Sequence, residues 1–243
     1  ASKQASGQAS GQASKRAGGV FMRIIRKTPL AKNRKLGISA FVLPVLLALD
    51  LLIPCLLAPS FRGYDAWTQV MSVLGSQNAP LHKIYNTWLV LFGVVLAAGA
   101  VRVYPIVSAV SSPLSTLLAA AMGVYAVGGC ILSGLFSVGE SKNLATLGAK
   151  IHGWGAAIGF LCLVFAPLLI GMYFFKISSR GWGAFSLICF FLAAVFFVLF
   201  IMADKPAAKG TALAWEGLWQ RLLLLCMYLP IMAFWILHSS FKI

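Results

Sequence analysis

Acidic side chains are rare in this chain and are the first candidates for chemistry. Only five occur among 243 residues, against twenty Lys and Arg. Asp65 and Glu140 fall between apolar runs, and His152 opens an apolar run shortly after Glu140. Carboxylates and imidazole groups transfer protons and ligate metals. We therefore predict Asp65, Glu140 and His152 as the candidate catalytic residues.

His152 has an alternative, structural role, which is a hydrogen bond that ties a loop to a helix bundle. Small residues follow it on the same helix face at Gly155, Ala156 and Gly159, so this face is expected to point into the bundle. The start of a helix also disfavours a protonated imidazole. We expect no metal site, because the acids and His152 follow no known ligand spacing.

Polar and aromatic residues concentrate in three segments, residues 63–86, 139–155 and 215–221. If these segments meet at one end of a helix bundle, they form a binding surface for a lipid or a small molecule. The candidate ligand-binding residues are Trp67, Gln69, Ser72, Trp154, Gln220 and Arg221.

Two ionisable residues fall inside apolar runs. Asp50 lies in the first run, and Arg221 lies near the start of the last. Ionisable groups within a membrane are costly and usually pair with each other inside the bundle. We therefore predict an intramembrane ion pair between Asp50 and Arg221. The alternative is that the long Arg221 side chain extends to the membrane surface.

Other catalytic signatures are missing from the sequence. It contains no nucleophile elbow, phosphate-binding loop, dinucleotide fingerprint or HExxH motif. The five cysteines lie in apolar runs without CxxC spacing, and we interpret them as small apolar helix residues. We expect no cofactor, and the sequence leaves open whether the protein is an enzyme.

Composition indicates the elements that position these groups. Apolar residues make up 60% of the chain and charged residues 10%, whereas soluble domains contain about 45–50% and about 25%. Six apolar runs approach or exceed the roughly 20 residues that cross a bilayer. They cover approximately residues 36–58, 86–105, 114–138, 151–175, 181–203 and 217–237. We predict an all-α integral membrane bundle of six transmembrane helices.

The N-terminal region differs in composition from the rest. Residues 1–19 are predicted to be a disordered tail, because their repeats of Ala, Ser and Gln offer no apolar face. Residues 20–35 mix apolar and basic residues and are expected to lie on anionic lipid headgroups. Residues 36–243 form the six-helix domain. The net charge of +15 is concentrated before the first apolar run, which indicates a membrane partner and not nucleic acid.

The distribution of Lys and Arg predicts the orientation. With the N-terminus inside, the inner face carries more basic residues than the outer face, in agreement with the positive-inside rule. Six spans return the C-terminus to the same side, so both termini are expected to be cytoplasmic. We expect the chain in the cytoplasmic (inner) membrane of a bacterium or archaeon.

Small residues and prolines predict how the spans pack. Gly155 and Gly159 in the fourth run, and Ala119 and Gly123 in the third, have the spacing that lets helix backbones approach closely. Pro167 and Pro230 lie inside later runs and are expected to bend them.

Three short motifs occur in a characteristic order. They are Tyr64-Asp65 followed by Gln69, Ser72 and Leu74-Gly75; then His152-Gly153; then Gly217-Leu218 and Gln220-Arg221. In this order they resemble the small membrane proteins grouped as domain of unknown function 998, over about residues 36–237. The resemblance implies a polytopic membrane fold and implies no particular activity.

Three functions are compatible with these features. The first is an enzyme or carrier that handles a lipid or small molecule at a polar site on the outer face, where all the loop acids are expected. The second is an accessory or scaffold subunit of a larger membrane complex, since no catalytic signature is present. The third is a transporter, although Asp50 alone offers little of an ion path.

Overall fold

The structure is a computed structural model that describes residues 39–137 and 144–240. The predicted tail, the basic segment and Glu140 lie outside the described residues. The described part contains six helices that are long and apolar enough to cross a membrane. Their bounds are α1 (Ser39–Leu57), α2 (His82–Ser108), α3 (Ser112–Leu135), α4 (Leu147–Lys176), α5 (Arg180–Ala203) and α6 (Glu216–Ser240).

The predicted class, an all-α membrane bundle, is confirmed. Mean hydropathy in the most apolar part of each helix lies between 1.7 and 2.9. Large apolar side chains such as Leu56, Val101 and Phe191 face outward with more than 60% of their surface exposed. A soluble protein rarely exposes continuous apolar surface on this scale. Helices satisfy their own backbone hydrogen bonds, which is the condition for crossing a bilayer.

Long and short connections lie at opposite ends of the bundle. Loop 1 (residues 61–81) contains the 3₁₀ helix Met71–Gly75, and loop 5 (residues 204–215) contains the 3₁₀ helices Pro206–Ala208 and Ala212–Ala214. The start of α4 lies at the same end, which we call the loop-1 end. At the other end, residues 109–111 and 177–179 form short turns.

The helices differ in how tightly they are held. α6 packs along α5, α1 and the second half of α4, while α3 packs between α2 and the first half of α4. α5 makes few contacts with the first half of α4. Only 17% of its apolar window is buried, the lowest value among the six spans. Packing between α5 and the first half of α4 is therefore sparse, whereas the second half of α4 packs closely on α5.

A π-helical stretch, Tyr125–Leu132, interrupts α3 where it meets α4. A Cβ atom at Gly128 would clash with the backbone carbonyl of Gly155, and one at Gly159 would lie 2.9 Å from the Gly129 nitrogen. The expected close approach through Gly155 and Gly159 is therefore present.

The partner positions on α3 differ from the prediction. Gly123 has no atom within 4 Å of an added Cβ, so it makes no close approach. The π stretch begins at Tyr125, and its wider turn changes which α3 residues face α4. Spacing rules that assume a regular α-helix therefore selected Ala119 and Gly123 instead of Gly128 and Gly129.

The two expected proline effects have different outcomes. α4 is interrupted at Phe165, and its second part begins at Ala166 with Pro167 in the first turn, where proline is tolerated because no N–H partner is needed. α6 remains helical through Pro230.

Glycine-to-alanine substitutions test the α3–α4 contact. Gly128→Ala is expected to lower the free energy of unfolding by about 1–3 kcal/mol, because two backbones must separate. Gly123→Ala, in the same helix with open space around it, is expected to be neutral or stabilising, since alanine favours helix. Thermal unfolding in detergent compares the two. Equal midpoints would contradict the close approach.

Candidate functional site

A cavity of about 290 Å³ lies inside the loop-1 end of the bundle. Loop 1 forms its roof through Val70, Met71 and Ser72. Each of the six helices contributes to its wall, for example through Asp50, Tyr85, Tyr125, His152, Phe200 and Gln220. The cavity is thus the place where polar residues from distant parts of the sequence meet.

Asp50 is the most buried ionisable group at this cavity, with 2% of its surface exposed. Its Oδ1 accepts a hydrogen bond from Trp88 Nε1 at 2.9 Å, and its Oδ2 accepts one from the Tyr228 hydroxyl at 2.9 Å. Because the Tyr228 proton points to Asp50, the 2.8 Å contact between the Tyr228 and Tyr125 hydroxyls has Tyr125 as donor. The Asp50 network therefore joins α1, α2, α3 and α6.

The predicted ion pair between Asp50 and Arg221 is wrong. Both Asp50 oxygens accept from neutral donors, and within the described part of the chain no Lys or Arg forms a salt bridge with it. The guanidinium of Arg221 instead donates to Ala66 and Tyr64 of loop 1. Asp50 obtains its partners from aromatic side chains that need no charge of their own.

His152 lies against the end of α3, with 6% of its surface exposed. Its Nδ1 donates to the Phe136 carbonyl at 2.8 Å and also lies 3.2 Å from the Ser133 carbonyl. Carbonyls at a helix C-terminus lack intrahelical partners, so the imidazole satisfies them. A neutral imidazole whose Nδ1 carries the proton has a lone pair on Nε2. His152 therefore ties α4 to α3 and also faces the cavity.

Asp65 does not reach the cavity. It is exposed in loop 1, where its carboxylate accepts from the Thr68 hydroxyl at 2.7 Å and from the Trp67 amide at 3.0 Å. The hydrogen bond from Thr68, followed by that from Trp67, lowers the pKa of Asp65 because both stabilise the ionised form. Asp65 shapes a turn of loop 1, and the structure does not bring it together with His152.

The side chain of Arg221 fastens loop 1 to the start of α6. Its guanidinium donates to the carbonyls of Ala66 and Gly217 and to the Tyr64 hydroxyl, each at 2.8 Å. Burial raises the pKa of Tyr64, and the nearby Arg221 charge opposes this shift. The planar guanidinium supplies several donors in fixed directions, which a lysine does not. We call this set of contacts the latch.

Two further contacts complete the latch. Gln220 Oε1 accepts from the Met71 amide at 2.7 Å, and the Leu218 amide donates to the Trp67 carbonyl at 3.0 Å. Only glycine fits at position 217, because a Cβ there would collide with the carbonyls of Gln69 and Ala66. Loop 1 therefore rests directly on the α6 backbone and closes the roof of the cavity.

The predicted ligand-binding residues divide into three groups. Ser72 and Gln220 line the cavity. Gln69 and Arg221 hold loop 1 in shape, since Gln69 Oε1 accepts from the Asp65 amide at 2.8 Å. Trp67 and Trp154 are 57% and 64% exposed and lie outside the cavity.

Sequence reasoning missed the aromatic members of the site. Tyr85, Tyr125, Trp88 and Tyr228 lie in apolar spans and look like ordinary membrane residues. Asp50 was the signal that could have identified them. An acid inside a membrane span requires hydrogen-bond donors, and the hydroxyl of tyrosine and the indole of tryptophan are donors that such spans contain.

Residues 45–237 match the family described as "Protein of unknown function (DUF998)". The chain belongs to this family. The resemblance carried by the three motifs is thereby confirmed, and no curated protein or solved structure matches the chain. In this DUF998 protein the first and third motifs meet in the latch, and His152 of the second lines the cavity.

Replacement of Arg221 by lysine tests the latch. Arg221→Lys keeps the charge but cannot reach Tyr64 and both carbonyls together, so loop 1 is expected to detach more often. Hydrogen–deuterium exchange at the amides of residues 64–72 should then rise by about tenfold, the effect of losing roughly 1.4 kcal/mol. Arg62→Lys, an exposed position in the same loop, serves as control. Unchanged exchange in Arg221→Lys would contradict the latch.

Proposed function

We propose that this protein binds a lipid or another small amphiphilic molecule in the cavity at the loop-1 end. The observation that carries the proposal is a partly open cavity of about 290 Å³ between six membrane helices, with polar groups converging on it. Small-molecule sites are typically concave, mostly apolar and equipped with a few placed polar groups. The cavity meets this description within the membrane domain.

The lining combines two chemical characters. Asp50, Tyr125 and His152 place polar atoms in the interior. Phe197 and Phe200 of α5 contribute apolar surface. A ligand with one polar and one apolar part matches this division, because each part then meets surface of its own kind.

The α4–α5 side of the cavity offers a route to the bilayer. Ala157 of α4 and Ile201 of α5 both line the cavity and are exposed on the bundle surface. These helices make few contacts with each other at this level. A ligand dissolved in the membrane has access between them without crossing loop 1.

The charge distribution supports an outward-facing site. Lys and Arg favour the inner side of a membrane, and their distribution in this sequence assigns the loop-1 end to the outer side. In that orientation the cavity draws ligands from the outer leaflet or from outside the cell.

A cavity-filling substitution tests the proposed function. Ala156→Leu adds volume to a cavity-lining position, and Ala98→Leu makes the same change at an exposed position on α2. Native mass spectrometry of protein purified in mild detergent should detect a bound small molecule in the wild type and in Ala98→Leu. We expect its occupancy to fall by at least about tenfold in Ala156→Leu.

The same measurement identifies the competing outcomes. A wild-type protein that carries no small molecule, even after addition of membrane lipid extract, would overturn the proposal. A stably bound second protein in place of a small molecule would favour the accessory-subunit role.

A further inference from the structure

Asp50 is buried in a membrane helix, and each carboxylate oxygen accepts a hydrogen bond from a neutral group. Trp88 can only donate, and Tyr228 donates to Asp50. Both contacts suit an ionised carboxylate, yet within residues 39–137 and 144–240 no basic side chain forms a salt bridge with it.

An ionised Asp50 then lacks a counter-charge within the described part of the chain. A carboxylate within a membrane is costly unless it is paired or faces a cavity. Asp50 does face the cavity, so a ligand in this space can reach it. We propose that the cavity binds the ammonium group of an amphiphilic primary amine, with Asp50 as its counter-ion. This inference deepens the proposed function and rests on it.

The hydrogen-bonding capacity that remains around the cavity matches such a group. Tyr125 donates its hydroxyl proton to Tyr228, so its oxygen can still accept a hydrogen bond. His152 donates its Nδ1 proton to the end of α3, so its Nε2 can accept one. Asp50 offers the second lone pairs of its oxygens. A primary ammonium carries three N–H donors and no acceptor, so these acceptors complement it.

Aromatic rings form part of the remaining cavity wall, and the acids Asp204 and Glu216 also line it. Tyr85, Tyr125 and Phe160 line the cavity, and the ring centroids of Tyr125 and Phe160 lie 5.4 Å apart. Aromatic faces attract cations, and the attraction strengthens when water is excluded. A metal ion would prefer several oxygen ligands, and within the described residues no three His, Cys, Asp or Glu side chains are grouped to hold one. A carboxylate beside aromatic rings suits an organic cation.

The size of the cavity determines where the apolar part of the ligand lies. A volume of about 290 Å³ is at the lower limit of ordinary ligand sites, which span about 300–1,000 Å³. It accommodates a headgroup and not a complete two-chain lipid. The alkyl chain therefore extends between α4 and α5, past Ala157 and Ile201, into the bilayer.

Three probes of equal length and different charge test the inference on the wild-type protein. Hexylamine, hexanol and hexanoate are titrated into detergent-solubilised protein at neutral pH, and binding is measured by calorimetry. Hexylamine, which is protonated under these conditions, should bind at least about tenfold more tightly than either of the others. Equal or tighter binding of hexanol or hexanoate would overturn the inference.

A pair of charge-removing variants locates the site. Asp50→Asn should weaken hexylamine binding by at least about tenfold. Arg62→Gln removes a charge of the same size from an exposed loop position outside the cavity and should leave binding unchanged. Undiminished hexylamine binding in Asp50→Asn would show that the amine binds elsewhere. If Asp50→Asn does not fold, Ala156→Leu replaces it, because it blocks the cavity and keeps Asp50.

Lipid nanodiscs distinguish a lipid headgroup from a free amine. Phosphatidylglycerol discs containing phosphatidylethanolamine, which has a primary ammonium, are compared with discs containing phosphatidylcholine. Selective retention of the ethanolamine lipid, displaced by hexylamine, identifies a lipid ligand. Hexylamine binding without such retention identifies a free amine. A different result would refute the amine inference and leave the proposed function standing. In that case hexanol binds as tightly as hexylamine, and Ala156→Leu abolishes hexanol binding.

Discussion

Asp50 lies inside a membrane-spanning helix, where a carboxylate must find hydrogen-bond donors within the protein. Trp88 and Tyr228 supply them from α2 and α6, and Tyr125 extends the chain to α3. Four of the six helices are therefore fixed in rotation relative to one another, since each must direct a particular side chain to the same point. In a bilayer, where burial of apolar surface between helices gains little, such polar contacts are an important source of specific packing.

The π-helical stretch of α3 connects this network to the other half of the cavity. The Ser133 side-chain hydroxyl, at the end of this stretch, donates to the Gly128 carbonyl at 3.1 Å. Tyr125 opens the stretch, and the carbonyls of Ser133 and Phe136, just beyond it, receive His152. One local irregularity thus places a tyrosine toward Asp50 and a histidine acceptor beside the cavity. π stretches recur at functional sites because they redirect side chains in this way.

Features that depend on local composition could be predicted from the sequence, and features that depend on helix rotation could not. Six spans follow from the length and apolarity of six runs. The partners of Asp50 depend on which face of α2 and α6 it meets, so charge alone suggested Arg221. The contacts of Arg221 are mostly backbone carbonyls, and carbonyls leave no mark in a sequence. The motif residues therefore include the latch and His152, whereas Trp88, Tyr125 and Tyr228 around Asp50 belong to none of the three motifs.

The hydrogen-bonded groups around the cavity and its α5 wall belong to different helices. The Asp50 network uses α1, α2, α3 and α6, and the latch uses loop 1 and α6. α5 takes no part in either. Between Ala193 and Ala203 none of its residues is buried, and its Phe197 and Phe200 complete the cavity wall. Displacement of this stretch of α5 would widen the α4–α5 side while every hydrogen bond around Asp50 is kept. If the cavity binds a ligand as proposed, entry from the bilayer between α4 and α5 need not disturb the hydrogen bonds around Asp50.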